Sequence, residues 1–470
     1  MRKIFTYVVA LLTAFATASC ESFLDITPEG QVKREDLLKT HDGIEDALYG
    51  AYARMRQASL YGQELHFSTL EIMAQSLYCY GNTKNMALVR YDFTNTDVKD
   101  IFESVWTQMY NNISNVNSVL NCEIVENATE YPATIYRGEA LALRALMHFD
   151  LMRIFAQQIT VSPSADGIPY NTEFSLKTPE FESLAANYEH VLADLLEAEK
   201  LLADEAKYAD ESNFMLDRQI HMNVDAVRAL LARVYLTKGD TANALSYALK
   251  VIEDNNGRRL NVKTEIQNDL AGVLSRNETL FGVYYANFYS LVSPKLQQTI
   301  SYSSLTLRED IIDLYEQGVD GLDYRVNAYF TEVDNGGTST YRLSKLTDIY
   351  ELQSNTSARP SDLITGINLI RLPEMYYIAA ETLLPTDPTR ALAYYNAVIT
   401  SRGLTASAGP LTQDMINTDR YKEYLGEGQT YFNYKRQNLN ITSYDNKTEY
   451  RPVDGIYTIP IPDVETSNRN

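Results

Sequence analysis

Tryptophan occurs once in this 470-residue chain, cysteine three times and histidine five times, so the side chains behind most metal and nucleophile chemistry are scarce. None of His41, His66, His148, His190 and His221 begins an H-E-x-x-H pair, and there is no G-x-S-x-G, phosphate loop or C-x-x-C. His148 and His190 fall in apolar helical patterns, where a histidine reads as a packed or solvated residue rather than a ligand. Beyond Cys20, only Cys79 and Cys122 remain, which is too few for a metal site and reads as two unpaired thiols in a packed interior, with a disulfide between them as the alternative. No metal, cofactor or catalytic residue is expected. A two-carboxylate hydrolase stays open as an alternative, because the spatial separation of two carboxylates cannot be read from sequence.

Basic residues are also few, 41 against 62 acidic ones, for a net charge of −21. Such a field repels nucleic acid and anionic lipid, so a nucleic-acid partner is set aside. After residue 20 no apolar run reaches the roughly 20 residues that cross a bilayer as a helix. What is present, 45% hydrophobic and 22% charged residues, is the balance of a folded globular protein. The chain exceeds the roughly 250–300 residues at which one core stops growing, so subdomains or an elongated repeat body are expected.

The first residues differ from the rest. Arg2 and Lys3 precede the uncharged run "IFTYVVALLTAFATA", followed by Ala18, Ser19 and Cys20 in "TASCESFLDITPEG". Basic start, short apolar centre and small residues before a cut form the layout of a secretory signal. Small residues directly before a lone cysteine resemble a lipobox, with Thr17 where the bacterial pattern prefers leucine. Residues 1–19 are therefore expected to be a removed lipoprotein signal and Cys20 the lipidated residue. Ordinary secretion with a nearby cut is the alternative. Acyl chains gain about 0.8 kcal/mol per buried CH₂, so two or more anchor a protein that does not cross the membrane.

Hydrophobic period gives the body. In "EALALRALMHFDLMRIF" Ala140, Leu143, Met147, Leu151 and Ile154 recur at helical spacing, which predicts a long amphipathic helix opening at Gly138 and Glu139. Val224, Val227, Leu231 and Val234 share a face of a second helix ending near Gly239, and Asp240 or Thr241 can cap a third that carries Ala244, Ala248 and Val251. Leu231, Ala232, Tyr235, Gly239, Ala244, Ala248 and Val251 fall at the offsets of a tetratricopeptide repeat. The second-helix pattern recurs at Leu184, Tyr188 and Val191 and at Ala391, Tyr395 and Val398, with upstream helices predicted over 137–155, 223–237 and 368–384. The first of these hairpins is split by the loop "QQITVSPSADGIPYNTEFSLKTPE", long enough to suggest a function or a partner contact. Residues 56–100 and 281–304 are rich in Tyr, Asn, Ser and Thr with the helical period broken. A loop tyrosine offers a face for stacking and a hydroxyl for hydrogen bonding, which suits neutral polar ligands such as sugars or peptides. Most of the 35 tyrosines must nonetheless serve packing.

Several segments, in order along the chain, resemble the SusD/RagB family. They are "CESFLDITPEG"; Trp106, Tyr110, Ile113 and Asn117; Glu139, Ala140, Arg144, Ala145 and Phe149; "GIPY"; and "ALLARVYL". Further on come Asp323 and Arg325; Arg371, Glu374, Ala380 and Glu381; Glu423, Glu427, Gly428 and Arg436; and the closing "YTIPIPDVETSNRN". The resemblance implies a mostly α, SusD-like fold: tetratricopeptide-like helical hairpins packed against an irregular, loop-rich ligand-binding region. It divides the mature chain into an N-terminal region, 20–255, and a C-terminal region, 256–470, that holds the loop-rich part and a further hairpin. It also implies a surface-exposed outer-membrane lipoprotein that captures a nutrient and passes it to a SusC/RagA-like TonB-dependent transporter, without catalysis. Family members bind glycans on aromatic platforms or, in some cases, oligopeptides; a scaffold that only holds the transporter is a further alternative.

Two departures bear on the ligand. Asp419, Arg420 and later Phe432, Asn433 stand where the family motif begins with two arginines and ends in Asp, a difference that reads as local packing. The single tryptophan, Trp106, matches a core helix position, so no tryptophan remains for a platform and the weight shifts to tyrosine. From the family layout the ligand-facing residues are expected to be Tyr78, Tyr80, Asn82 and Tyr91, with Tyr285, Asn287, Tyr289 and Tyr302: tyrosines to stack on a sugar ring or line a peptide groove, asparagines to bond hydroxyls or amides.

Overall fold

Several helix starts in this protein are fixed by short polar side chains. Asn95, Ser183, Asn223, Asp387 and Thr412 each accept an otherwise unpartnered backbone N–H at the head of a helix. A computed structural model describes residues 34–467 other than 80, 176, 178, 255, 269–273, 297–303, 317–321, 335–338 and 347–363. Its longer helices are α1 (His41–Met55), α2 (Thr96–Leu120), α3 (Ala133–Phe155), α4 (Leu184–Leu202), α5 (Val224–Lys238), α6 (Thr241–Asp254), α7 (Phe288–Leu296), α8 (Leu372–Leu383), α9 (Pro388–Ser401), α10 (Gln413–Tyr424) and α11 (Thr430–Gln437). The strands are short and pair in twos: β1 (Leu77–Tyr78) with β5 (Thr306–Leu307), β2 (Asp166–Pro169) with β3 (Phe181–Ser183), β4 (Thr279–Tyr284) with β8 (Gly366–Arg371), β6 (Phe330–Asp334) with β7 (Ser339–Leu343), and β9 (Ile441–Thr442) with β10 (Glu449–Tyr450), all antiparallel. The fold is mostly α, as the sequence leads one to expect.

The three predicted hairpins are α3 with α4, α5 with α6, and α8 with α9. At the α5–α6 turn Gly239 takes φ +86°, a conformation that costs a residue with a Cβ, and the Asp240 side chain accepts the Asn243 N–H at 3.1 Å. α3 differs from expectation in two ways. It begins at Ala133, more than a turn before Gly138, and it is buried on every face from Gly138 to Phe155 rather than amphipathic. The reason is position: α2 and α4 flank it along its length, with α1 and β2 also in contact. Polar residues survive there because each is paired. Arg144 makes a two-pronged bond to Asp194, 2.7 Å on each arm, and the Tyr170 hydroxyl donates to the same carboxylate at 2.6 Å. The His148 Nδ1–H donates to the Arg144 carbonyl at 2.9 Å while Nε2 accepts the Asn171 N–H at 3.0 Å, and burial lowers its pKa to about 3, so the ring is neutral. Tyr170 and Asn171 also pin the long loop between α3 and α4 back onto the hairpin.

Two further boundaries move. Residues 366–371 form β8 and the helix starts only at Leu372, because Pro373 fits the first helical turn and Arg371 before it is extended. Within the stretch 281–304, read as aperiodic, Phe288, Val292 and Leu296 seat the helix α7 on the core despite Pro294. Buried apolar side chains form one continuous cluster from Leu38 to Ile459, with a second beneath α8 and α9 around Tyr377, Ala391 and Val398.

Candidate functional site

The loop-rich half is organised by buried charge. Five cations, Arg325, Lys345, Arg371, Arg402 and Lys422, face five carboxylates, Glu278, Asp323, Asp419, Glu423 and Glu427, and all ten are at most 8% exposed. Glu423 sits at the centre: Oε1 accepts from Arg371 at 2.7 Å and Arg402 at 2.8 Å, and Oε2 from Arg325 and Arg402 at 3.1 Å each. Burial pushes its carboxyl up, but Arg402 and Arg371 beside it hold the pKa well below the usual carboxylate range. Lys345 bonds the Glu423 and Leu425 carbonyls and Glu427, which locks the turn after α10. There Gly428 takes φ +69°, where a Cβ would lie 2.6 Å from the Leu65 carbonyl oxygen, and its N–H donates to Glu71 at 2.8 Å. Most of the charged residues that carry the family resemblance, including Glu139, Arg144, Asp323, Arg325, Arg371, Glu374, Glu381, Glu423, Glu427 and Arg436, are ion-pair nodes of this kind.

Around this frame lie the tyrosines and asparagines expected to meet ligand. Tyr78, half-buried on β1, stacks on Tyr444 with ring centroids 4.1 Å apart and planes at 19°. Tyr444 comes from the turn between β9 and β10 and was not anticipated; its partner lies far away in sequence, and only the Tyr-rich turn "TSYDNKTEY" hints at it. Gln75 is the hub. Fully buried at φ +60°, it accepts the Tyr444 N–H at 3.2 Å and donates to the Val89 carbonyl at 2.9 Å. The same amide approaches the Tyr91 hydroxyl at 3.4 Å, and that hydroxyl donates to the Met73 carbonyl at 2.5 Å. Tyr91 is only 9% exposed and meets Tyr450 edge-on at 4.9 Å, so it backs the outer rings from below. The Asn82 side chain accepts the Asn85 N–H at 3.1 Å and caps the helix Thr83–Val89. Arg308 and Asn446 bond each other at 2.9 Å and share Asp310, which fastens the β9–β10 turn beside β5.

The second group borders the first. Leu305 donates its N–H to the Lys295 carbonyl at 2.8 Å, so the β1–β5 pair joins the C-terminal end of α7, a helix roughly 13 Å long. At its other end Tyr285 is half-buried, with the Arg56 guanidinium 5.6 Å over its ring and Phe288 at 5.9 Å; Asn287 is exposed and Tyr289 half-buried. Tyr284, 48% exposed, adds a ring that sequence reasoning passed over. Of the eight expected residues, Tyr80 and Tyr302 lie outside the described residues, as does Cys20. Trp106 is in the core, 3% exposed, its ring edge-on to Phe155 at 4.9 Å. Aromatic faces interleaved with amides, hydroxyls and guanidiniums can stack on and hydrogen-bond a neutral polar ligand. Among the described residues no group of three metal-ligating side chains is placed to hold an ion, and no helix is long and apolar enough to cross a membrane.

Comparison with known proteins agrees with this architecture. Residues 22–236 match the SusD-like family model described as "starch-binding associating with outer membrane". SusD-like protein P2 of Formosa agariphila is 27% identical over 288 residues, 60% of this chain and 52% of that protein; SusD-like protein P38 of the same organism is 26% identical over 241 residues, 48% and 43%. The chain thus spans about half the length of the curated relatives it matches. A SusD superfamily protein from Bacteroides thetaiotaomicron has the same fold, with TM-score 0.72 and 24% identity over 91% of this chain and 97% of that one. A laminarin-binding SusD-like protein aligns with TM-score 0.63 and 18% identity over 85% and 91%. The family match over residues 22–236 and the curated relatives make this chain similar to SusD-like proteins, and it shares the SusD-like fold across nine-tenths of its length.

Proposed function

We propose that the protein is a binding protein and not an enzyme, and that it captures a glycan or oligosaccharide on the tyrosine-rich edge formed by β1, β5, the β9–β10 turn and the segment 284–290. The observation that carries this reading is the stacked Tyr78–Tyr444 pair, a rigid aromatic surface held from below by Gln75 and Tyr91. The family description and the laminarin-binding relative favour a glycan over an oligopeptide. Tyr78, Tyr285 and Tyr289 would stack, Asn82 and Asn287 would flank the ligand, Tyr80 and Tyr302 belong to the same two segments, and Tyr91 acts through the rings it supports. In this reading Cys20 carries the lipid that holds the protein on the outer-membrane surface, where a SusC/RagA-like TonB-dependent transporter receives the ligand.

A glycan array and a peptide library, screened with mature protein and followed by calorimetry on Tyr78→Ala, Tyr80→Ala and Tyr285→Ala, test the reading. Losing one stacking ring costs about 1–2 kcal/mol, so affinity for the best glycan should fall roughly 5- to 30-fold. Unchanged affinity in all three variants refutes the site. A peptide as the best ligand moves the assignment to the oligopeptide class, and no ligand with retained transporter co-purification makes the chain a scaffold.

A further inference from the structure

Away from the tyrosine edge, a cavity of about 50 Å³ opens between the end of α5 and the helices α10 and α11. Its walls carry four guanidiniums, Arg153, Arg233, Arg420 and Arg436. Their carboxylate partners are three: Asp150 for Arg153, Glu374 for Arg233, and Glu381, shared by Arg420 and Arg436. The set therefore holds one positive charge more than its ion pairs neutralise. Asn433 adds no charge; its oxygen accepts from Arg420 at 3.0 Å and from Arg436 at 2.7 Å and is already saturated with donors.

Among the buried polar groups without a partner on residues that line this cavity are Arg420 Nη2, the Tyr424 hydroxyl and the Thr430 hydroxyl. Their residues are 6%, 3% and 4% exposed, so water outside does not satisfy them. All three can donate a hydrogen bond, and the guanidinium can do nothing else. Thr430 is moreover the first residue of α11, whose N-terminus has no side-chain cap, so that end presents its partial positive charge among the same residues. Unpartnered donors, surplus positive charge and an uncapped helix start meet around a space with room for a few waters, at about 10–15 Å³ for each.

We infer that this cavity is a site for a small inorganic anion, a halide or an oxyanion such as phosphate, held by Arg420, Tyr424 and Thr430. The ion ties α10 to α11 and acts as a structural ligand: binding the native state alone, it stabilises the fold by mass action. The site is independent of the tyrosine edge, and glycan binding does not pass through it.

The test uses mature protein in sodium gluconate, whose anion is too large for the cavity, with gluconate replaced at constant ionic strength by chloride, bromide or phosphate. Thermal midpoint should rise with the concentration of at least one small anion; the arm that responds separates halide from oxyanion. Thr430→Val and Tyr424→Phe, which keep shape and remove a donor each, should weaken that response at least 10-fold in half-saturating concentration. A crystal grown in sodium bromide provides a readout independent of variant folding: one anomalous peak bonded to Arg420, Tyr424 and Thr430 is expected. Ordered waters alone in the cavity at 100-fold excess of bromide and of phosphate, or a midpoint indifferent to anion identity, overturns the inference.

Discussion

Replacing Glu423 with glutamine removes one charge from the middle of the C-terminal ion lattice and almost none of its volume. In the native protein its two oxygens accept four guanidinium N–H groups from Arg325, Arg371 and Arg402 at 2.7–3.1 Å, and the side chain has no exposure. Glutamine keeps one acceptor oxygen and turns an NH₂ toward donors that need an acceptor, and the lattice becomes five cations against four carboxylates. Breaking a buried pair by removing one partner costs about 3–5 kcal/mol, and with three guanidiniums affected the expectation is the top of that range, about 5 kcal/mol. Urea unfolding followed by circular dichroism gives the number, with Glu197→Gln as control, since that half-exposed carboxylate pairs with Lys200 at 3.9 Å and should change stability by under about 0.5 kcal/mol. The pH dependence has a defined sign. The folded pKa of Glu423 lies well below its ordinary 4.5, so the stability it contributes is present above 4.5 and is lost only as pH falls through the folded value. The gap between wild type and variant should therefore be complete at pH 7, persist at pH 5 and close only in stronger acid. A loss below about 1 kcal/mol, or a gap already closed at pH 6, would refute the claim that this lattice holds the loop-rich half together.

Glu71 titrates in the opposite sense: burial raises its pKa to about 7, so its contribution is present below 4.5 and lost as pH rises through 7, and Glu71→Gln should match wild type at pH 4.5 yet exceed its stability by on the order of 3 kcal/mol at pH 8, read by urea midpoints. Gly428→Ala forces a Cβ against the Leu65 and His66 carbonyl oxygens at φ +69° and should cost at least about 1–3 kcal/mol by the same assay. Tyr91→Phe leaves the buried Met73 carbonyl without its donor and should lower stability by about 1–2 kcal/mol while the Tyr450 contact is kept. Cys20→Ser should abolish metabolic labelling with palmitate and release the protein from membranes in cell fractionation, whereas continued labelling would show that another residue carries the lipid.

The helical framework was legible because its signals are local. Gly239 ends α5 and Asp240 caps α6 within two residues, and the small residues Ala232, Ala244 and Ala248 recur where helices touch, so period and caps alone give the hairpin. The same local reasoning misplaced the start of α8. Residues 366–371 are apolar enough to continue a helical pattern, and only pairing with β4, nearly ninety residues upstream, makes them a strand. The full burial of α3 was invisible for a related reason. Glu139, Arg144, Asp150 and Arg153 suggest a wet face, and what makes them interior residues is a set of partners, among them Arg218, Asp194 and Tyr61, supplied by other parts of the fold.

That contrast explains why the family resemblance was easier to read than the tyrosine pairing. A charged residue in a buried lattice cannot change without stranding its partners, and Arg371, Glu423 and Glu427 of this lattice are among the residues that carry the family resemblance. A stacking surface imposes no such rule. The Tyr78–Tyr444 pair needs two flat rings about 4 Å apart, delivered by a two-residue strand and a turn more than three hundred residues away, and no periodicity links them. Tyr91 shows the cost of reading such residues singly: as a loop tyrosine it resembles Tyr78, yet its hydroxyl is committed to Met73 and its ring to Tyr450, which makes it the support of the surface rather than its face.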